Sequence, residues 1–311
     1  MAKKLDFCFF GSSNFSVYCL KEIIKEYIPS LVVTLPAKRK GRGLKLEPNI
    51  VYSFSLKNNL NVIEINDWTK FNFSFEFGLI AGFGKIIPSE VFSYFKKGIL
   101  NIHPSLLPKY RGANPIREVI LNGDQITGVT IIIIDELVDH GPIISQQKIN
   151  LKGNETYLQL EEILGKLGGK LFNENILNYL NNKIKLQVQD DSQATYTRKI
   201  NKEDGLMKIE DCFDIWHKKI RALNPWPGTF IKIKIKEEEK ILKIFKIEKL
   251  NQISKELKNF KIGDFFRYQN ELGLKIYDSY IIIKELQLQD RKKMSSKEFL
   301  NGYKLEWLKI I

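Results

Sequence analysis

Residues Gly98–Pro115, GILNIHPSLLPKYRGANP, read as the end of a buried strand, a rigid loop and the start of a helix. Gly98–Ile102 is a short apolar run closed by Pro104. Asn114-Pro115 has the form of a helix N-cap followed by proline at the first helical position, where a missing N–H costs nothing. Side chains two apart on a strand share a face, so Asn101 and His103 should project together at this strand's carboxyl end. The same alternation extends on both sides of the stretch. Leu5–Phe10, Leu31–Leu35, Asn61–Ile65, Phe77–Ala81 and Val129–Asp135 read as strands; Asn14–Glu26, Ile50–Asn58, Ser89–Phe95 and Pro115–Leu121 read as helices. This order predicts an α/β domain with a doubly wound parallel sheet, whose site lies beyond the carboxyl ends of its strands.

A long amphipathic helix over about 155–180 closes this half, and polar residues then form a linker, giving a first domain over 1–183 and a linker over 184–202. From 203 to 311 the pattern changes to short strand-like runs (Thr229–Lys236, Lys240–Lys249, Leu274–Tyr277, Tyr280–Leu286), which predicts a smaller β-barrel or sandwich. The chain of 311 residues carries a net charge of +13. Residues 195–311 hold 26 basic and 17 acidic side chains, against 23 and 19 in the longer first part, so the excess is concentrated in the second domain. Such an excess concerns partners rather than fold, and points to an anionic substrate or surface.

Cys8, Cys19 and Cys212 are odd in number and lack C-x-x-C spacing, which argues against a disulfide framework and fits a reducing compartment. With only three histidines besides, no metal site is expected. No apolar run reaches the ~20 residues of a membrane span, so a soluble, cytoplasmic protein is expected. Nothing requires a partner subunit, and a monomer is expected.

The first turn, Gly11-Ser12-Ser13-Asn14-Phe15, sits where a dinucleotide fingerprint would lie, but serines replace two of its glycines, leaving Asn14 as a plain helix cap. The Asn101–His103 pair is better equipped. An asparagine amide can donate to a developing oxyanion, and an imidazole can exchange a proton near neutral pH. A carboxylate from the loop after Val129–Asp135 would fix the imidazole's tautomer; Asp135, Glu136 and Asp139 are each within reach. His140, beside Asp139, is a second candidate for the titrating group. Five cations, Lys38, Arg39, Lys40, Arg42 and Lys45, crowd eight positions and suit a basic arm that meets nucleic-acid phosphates.

Residues 101–112, NIHPSLLPKYRG, resemble the signature of the 10-formyltetrahydrofolate-dependent formyltransferase family, with Asp139 where that family has its catalytic aspartate. The resemblance implies a Rossmann-like catalytic domain followed by an OB-like β-barrel. It also implies Asn101, His103 and Asp139 as catalytic residues. A folate site is implied at Gly82, Phe83, Gly84, Ser105, Leu106, Leu107, Pro108, Asp135 and Val138. The formyl donor would be 10-formyltetrahydrofolate, without a metal.

Four further segments, at 10–15, 41–48, 194–200 and 221–228, together with Lys292–Leu300, resemble the branch whose acceptor is methionyl-initiator tRNA. That branch uses the loop at 41–48 to meet the acceptor end. A sugar-nucleotide N-formyltransferase would share the same machinery but need no basic arm. A non-catalytic RNA-binding protein on a decayed scaffold would not need the intact Asn101, His103 and Asp139. The family commonly reads D-T-G-D where this chain reads Asp139-His140-Gly141-Pro142.

Overall fold

The computed structural model describes residues 2–40 and 45–311. The chain divides into two compact units: residues 1–116, 125–152 and 158–198 form the first, and 117–124, 153–157 and 199–311 the second. No helix among the described residues is long and apolar enough to cross a membrane.

The first unit is built on strands β1 (Phe7–Phe10), β2 (Leu31–Thr34), β3 (Val62–Glu64), β4 (Phe77–Ile80), β5 (Ile99–His103), β6 (Ile126–Ile133) and β7 (Ile143–Asn150). They lie in the order β7-β6-β5-β4-β1-β2-β3. The five strands β3, β2, β1, β4 and β5 are parallel, and β6 runs antiparallel to both β5 and β7. The sheet is therefore mixed, and β7 is an edge strand that the sequence reading did not separate from the preceding loop. Its last six residues, Ser145–Asn150, are mostly exposed and polar, so it lacks the apolar run that marks a buried strand.

Every residue of β1 and β2 is buried, as expected of strands covered on both faces. Cys8 and Phe10 face an aromatic cluster that includes Phe71, Phe75, Phe83 and Phe95. Phe7 turns to the opposite face and packs on Phe77 and Phe172. That face is covered by α1 (Asn14–Ile23) and by the helix Tyr157–Leu180. The cap of α1 is Ser13 rather than Asn14: Ser13 accepts from the Ser16 N–H in a reciprocal capping box. The order of strands reverses between β1 and β4, where the Ser12 N–H donates to the Gly82 carbonyl (3.3 Å). The stretch Ser89–Tyr94 is a 3₁₀-helix, not the α-helix its pattern suggests.

The second unit includes a helix over Phe213–Leu223 and six strands: Thr229–Ile235, Glu238–Lys249, Phe265–Tyr268, Glu271–Lys275, Tyr280–Leu288 and Leu308–Ile310. All pair antiparallel, forming a curled sheet around a core that includes Trp216, Ile233, Leu274, Ile283 and Phe299.

Gly165 and Gly169, one helical turn apart, let Tyr157–Leu180 approach α1 closely. A Cβ on Gly169 would lie 2.5 Å from the Cys19 carbonyl oxygen, a backbone atom that can yield only by moving α1. Gly169→Ala gains up to about 1 kcal/mol of helix propensity, but overpacking costs about 1–3 kcal/mol. A lower urea midpoint is expected; a higher one would show that the two helices are not pressed together there.

Candidate active site

The loop that leaves β6 returns Asp139 to the carboxyl end of β5. Asp139 has φ +50°, in the left-handed region that an L-residue adopts at a cost. This backbone places its carboxylate among three partners. Asn101 Nδ2 donates to Oδ1 (3.1 Å), the Gly112 N–H donates to Oδ2 (2.8 Å), and His103 Nδ1 stands 3.5 Å from Oδ2. Asn101 and His103 share a strand face, as their spacing predicts, and it is Asp139 rather than Asp135 that meets them.

His103 is buried, and its Nε2 lies 2.9 Å from the Tyr110 carbonyl. A carbonyl can only accept, so Nε2 carries the proton. In the neutral ring Nδ1 is then the basic nitrogen, and a proton taken up there would face the Asp139 carboxylate. The other ring candidate, His140, points elsewhere: Nδ1 is 2.6 Å from Asp135 Oδ2, and Nε2 is 3.4 Å from Asp191 Oδ2. The hydrogen bond with Asp135, helped by Asp191, holds its pKa above the ordinary value.

The loop after β5 is fixed from below by Thr130 on β6, which pairs with His103 across the sheet. The buried Thr130 hydroxyl donates to the Ser105 carbonyl (2.7 Å) and accepts from the Leu107 N–H (3.1 Å) and from Gln146 Nε2 (2.8 Å). Ser105 Oγ donates to the Lys109 carbonyl (2.6 Å). A proton acceptor, an amide donor and a carboxylate that aligns them thus share one strand end, which is equipment for acyl-type transfer to a nucleophile.

A family model described as formyl transferase matches residues 6–176, and one described as formyl transferase, C-terminal domain, matches residues 199–304. The chain belongs to the formyl transferase family. Among its curated relatives is a methionyl-tRNA formyltransferase of Caldicellulosiruptor saccharolyticus, 37% identical over 97% of this chain and 98% of the relative. Another, from Halothermothrix orenii, is 32% identical over 97% and 98%. Among solved structures, an N-formyltransferase from Helicobacter canadensis in complex with folinic acid and dTDP-3-aminofucose superposes with a TM-score of 0.64 at 22% identity. It covers 90% of this chain and 98% of its own. HypX from Aquifex aeolicus in complex with tetrahydrofolic acid gives 0.64 at 16% identity, over 96% and 48%.

In this formyl transferase the residues expected to meet folate fall into two groups. The Phe83 ring is buried in the aromatic cluster, Leu107 packs on Ile132 and Ile143, and Ser105 is spent on its own loop, so those side chains face inward. Gly82, Gly84 and Val138 are exposed, with Leu106 and Pro108 half-buried. Asp135 is half-buried and committed to His140 and to the Leu137 N–H (3.0 Å). Of the five cations expected to meet nucleic acid, Arg42 lies outside the described residues. Lys38, Arg39 and Lys40 lie on one short strand of an antiparallel hairpin and Lys45 on the other. Tyr110, Gly112, Thr130 and Gln146 were not anticipated at the site. The first two act through backbone atoms, which no side-chain pattern reveals, and Gln146 belongs to the unread edge strand.

Because its pKa is raised in the folded state, His140 contributes stability that is complete below the unfolded value of about 6.5 and is lost as pH rises through the folded one. His217, whose pKa burial and Arg221 hold down, has the opposite slope but is unchanged in a His140 variant. The melting-temperature gap between the wild type and His140→Gln should therefore narrow as pH rises above about 6.5. A gap independent of pH would contradict the assigned ion pairs.

Proposed function

We propose that this formyl transferase moves the formyl group of 10-formyltetrahydrofolate to the α-amino group of methionyl-initiator tRNA. The observation that carries the reading is the convergence of Asn101, His103 and Asp139 in a chain whose full-length relatives are named methionyl-tRNA formyltransferases. The bound folate supplies an electrophilic formyl carbon. Every other part of the chemistry falls to the protein.

An α-amino group titrates near pKa 8, so a base at the site matters near neutral pH. His103 takes the amine's proton through Nδ1 as the new N–C bond forms, with its Nε2–H held by the Tyr110 carbonyl. It returns that proton to N10 of the folate as the formyl C–N10 bond breaks and tetrahydrofolate leaves. Asn101 donates from Nδ2 to the oxygen on which negative charge builds as the amine adds. Asp139 orients both groups and faces the proton that His103 gains. The exposed Gly82 and Gly84 leave backbone open to a flat ring. Leu137 and Val138, 61% and 63% exposed on the loop before Asp139, offer it apolar cover, and the Ser105–Pro108 loop forms a further wall. The hairpin carrying Lys38–Lys40 and Lys45, with Arg42 between, meets the acceptor stem, and the basic second unit adds contacts to the backbone phosphates.

The test is formyl transfer from 10-formyltetrahydrofolate to methionine-charged initiator tRNA, with an amino-sugar nucleotide as the parallel acceptor. Transfer to the tRNA is expected, with kcat falling about 10²–10³-fold in Asn101→Ala. Transfer to the sugar nucleotide alone would overturn the acceptor while keeping the chemistry.

A further inference from the structure

Gln189 lies in the polar segment after the helix Tyr157–Leu180, in the stretch read from sequence as a linker. Within the first unit this segment is a strap across both active-site loops. Its Gln187 backbone pairs with Ile143 in both directions (2.8 and 3.0 Å), next to the loop that carries Asp139. Farther on, Tyr196-Thr197 lies parallel to Arg111-Gly112, the Arg111 N–H donates to the Thr195 carbonyl (2.8 Å), and Thr195 Oγ1 accepts from the Tyr110 N–H (2.8 Å). The strap thus grips the two loops that supply His103 and Asp139 with their partners.

Between these grips the Gln189 side chain is buried, at 7% exposure, and all four of its hydrogen-bonding positions are used. Nε2 donates to the carbonyls of Asp139 (2.9 Å) and Gly141 (2.8 Å). Oε1 accepts from Arg111 Nε (3.2 Å) and Nη2 (2.9 Å). Only one orientation of the amide is possible, because the reverse would set N–H against guanidinium and oxygen against two carbonyls. Arg111 is itself 1% exposed and anchored by Asp191 Oδ1 (2.7 Å) and the Tyr196 hydroxyl (3.2 Å).

Asp139 needs such restraint. Its left-handed backbone persists only where the surroundings over-determine it, and Gln189 holds the two carbonyls that bracket His140. We propose that Gln189 is a positioning residue: it fixes the Asp139 peptide so that the carboxylate stays on Asn101, His103 and the Gly112 N–H. The inference rests on the formyl-transfer reading for its kinetic consequence but not for its geometry.

Gln189→Glu separates positioning from folding. The carboxylate keeps both acceptors for Arg111 but turns an oxygen toward the Asp139 and Gly141 carbonyls where an N–H₂ stood. Two readings are taken on the full-length chain: steady-state formyl transfer, and hydrogen exchange of the Gly112 amide, which Asp139 protects. Misplacing a group by about 1 Å can cost about 100-fold. The expected result is a melting temperature near that of the wild type, kcat down about 10- to 100-fold, KM for both substrates little changed, and faster exchange at Gly112. Unchanged kcat with Gly112 still protected would overturn the proposal, and so would a loss of activity explained wholly by a fallen melting temperature. If the Glu variant does not fold, Gln189→Met, similar in shape and without either polar end, is judged by the same readings. Should the wild type transfer no formyl group, the functional reading fails, and Gly112 exchange still decides the positioning.

Discussion

One carboxylate, held in an unfavourable backbone conformation, organises this site. Asp139 meets the strand-end amide of Asn101, the imidazole of His103 and the N–H of Gly112, which come from the end of β5 and the loop that follows it. The Tyr110 carbonyl sets the imidazole's tautomer from the opposite side. With Asp139 displaced, Asn101 would lose its partner and His103 the group that faces Nδ1. The left-handed φ of Asp139 gives the protein a reason to invest several hydrogen bonds in the loops on either side.

The architecture supplies those bonds from below. Parallel pairing sets β5 beside β4, one strand from the reversal of strand order, and the antiparallel turn-back of β6 against β5 sets Thr130 opposite His103. From there one hydroxyl governs the loop after β5, bonding to Ser105, Leu107 and Gln146. An all-parallel sheet would enter β6 from the other end and could not place Thr130 and the returning Asp139 loop as they stand. The same mixed sheet explains why Gly141 must be glycine: a Cβ there would fall 1.7 Å from the Ile133 carbonyl oxygen, where the loop folds back on its own strand.

Much of this could be read from residues alone. The period of two along β5 put Asn101 and His103 on one face, and Pro115 marked the start of the helix Pro115–Asn122. Which loop acid completes the group was open on spacing, because three carboxylates lay within reach and only the folded loop chooses Asp139. The helix cap was displaced by one residue, since Ser13 and Asn14 are both good caps and the reciprocal bond with Ser16 decides between them. Edge strand β7 was missed because half of it is polar and exposed. Gln189 was illegible for a related reason. Polar residues between two domains normally read as solvated chain, and this one is buried with every hydrogen-bonding position paired, two to the Arg111 guanidinium and two to backbone carbonyls.

The most direct measurement is ring-nitrogen NMR of His103 in protein labelled at its three histidines, recorded with the imidazole neutral. The site as described requires hydrogen on Nε2, bonded to the Tyr110 carbonyl, with Nδ1 bare toward Asp139 and the incoming amine. Hydrogen on Nδ1 with Nε2 bare would mean that Asp139 binds the neutral ring directly, and that the base assigned here is not the one the enzyme uses.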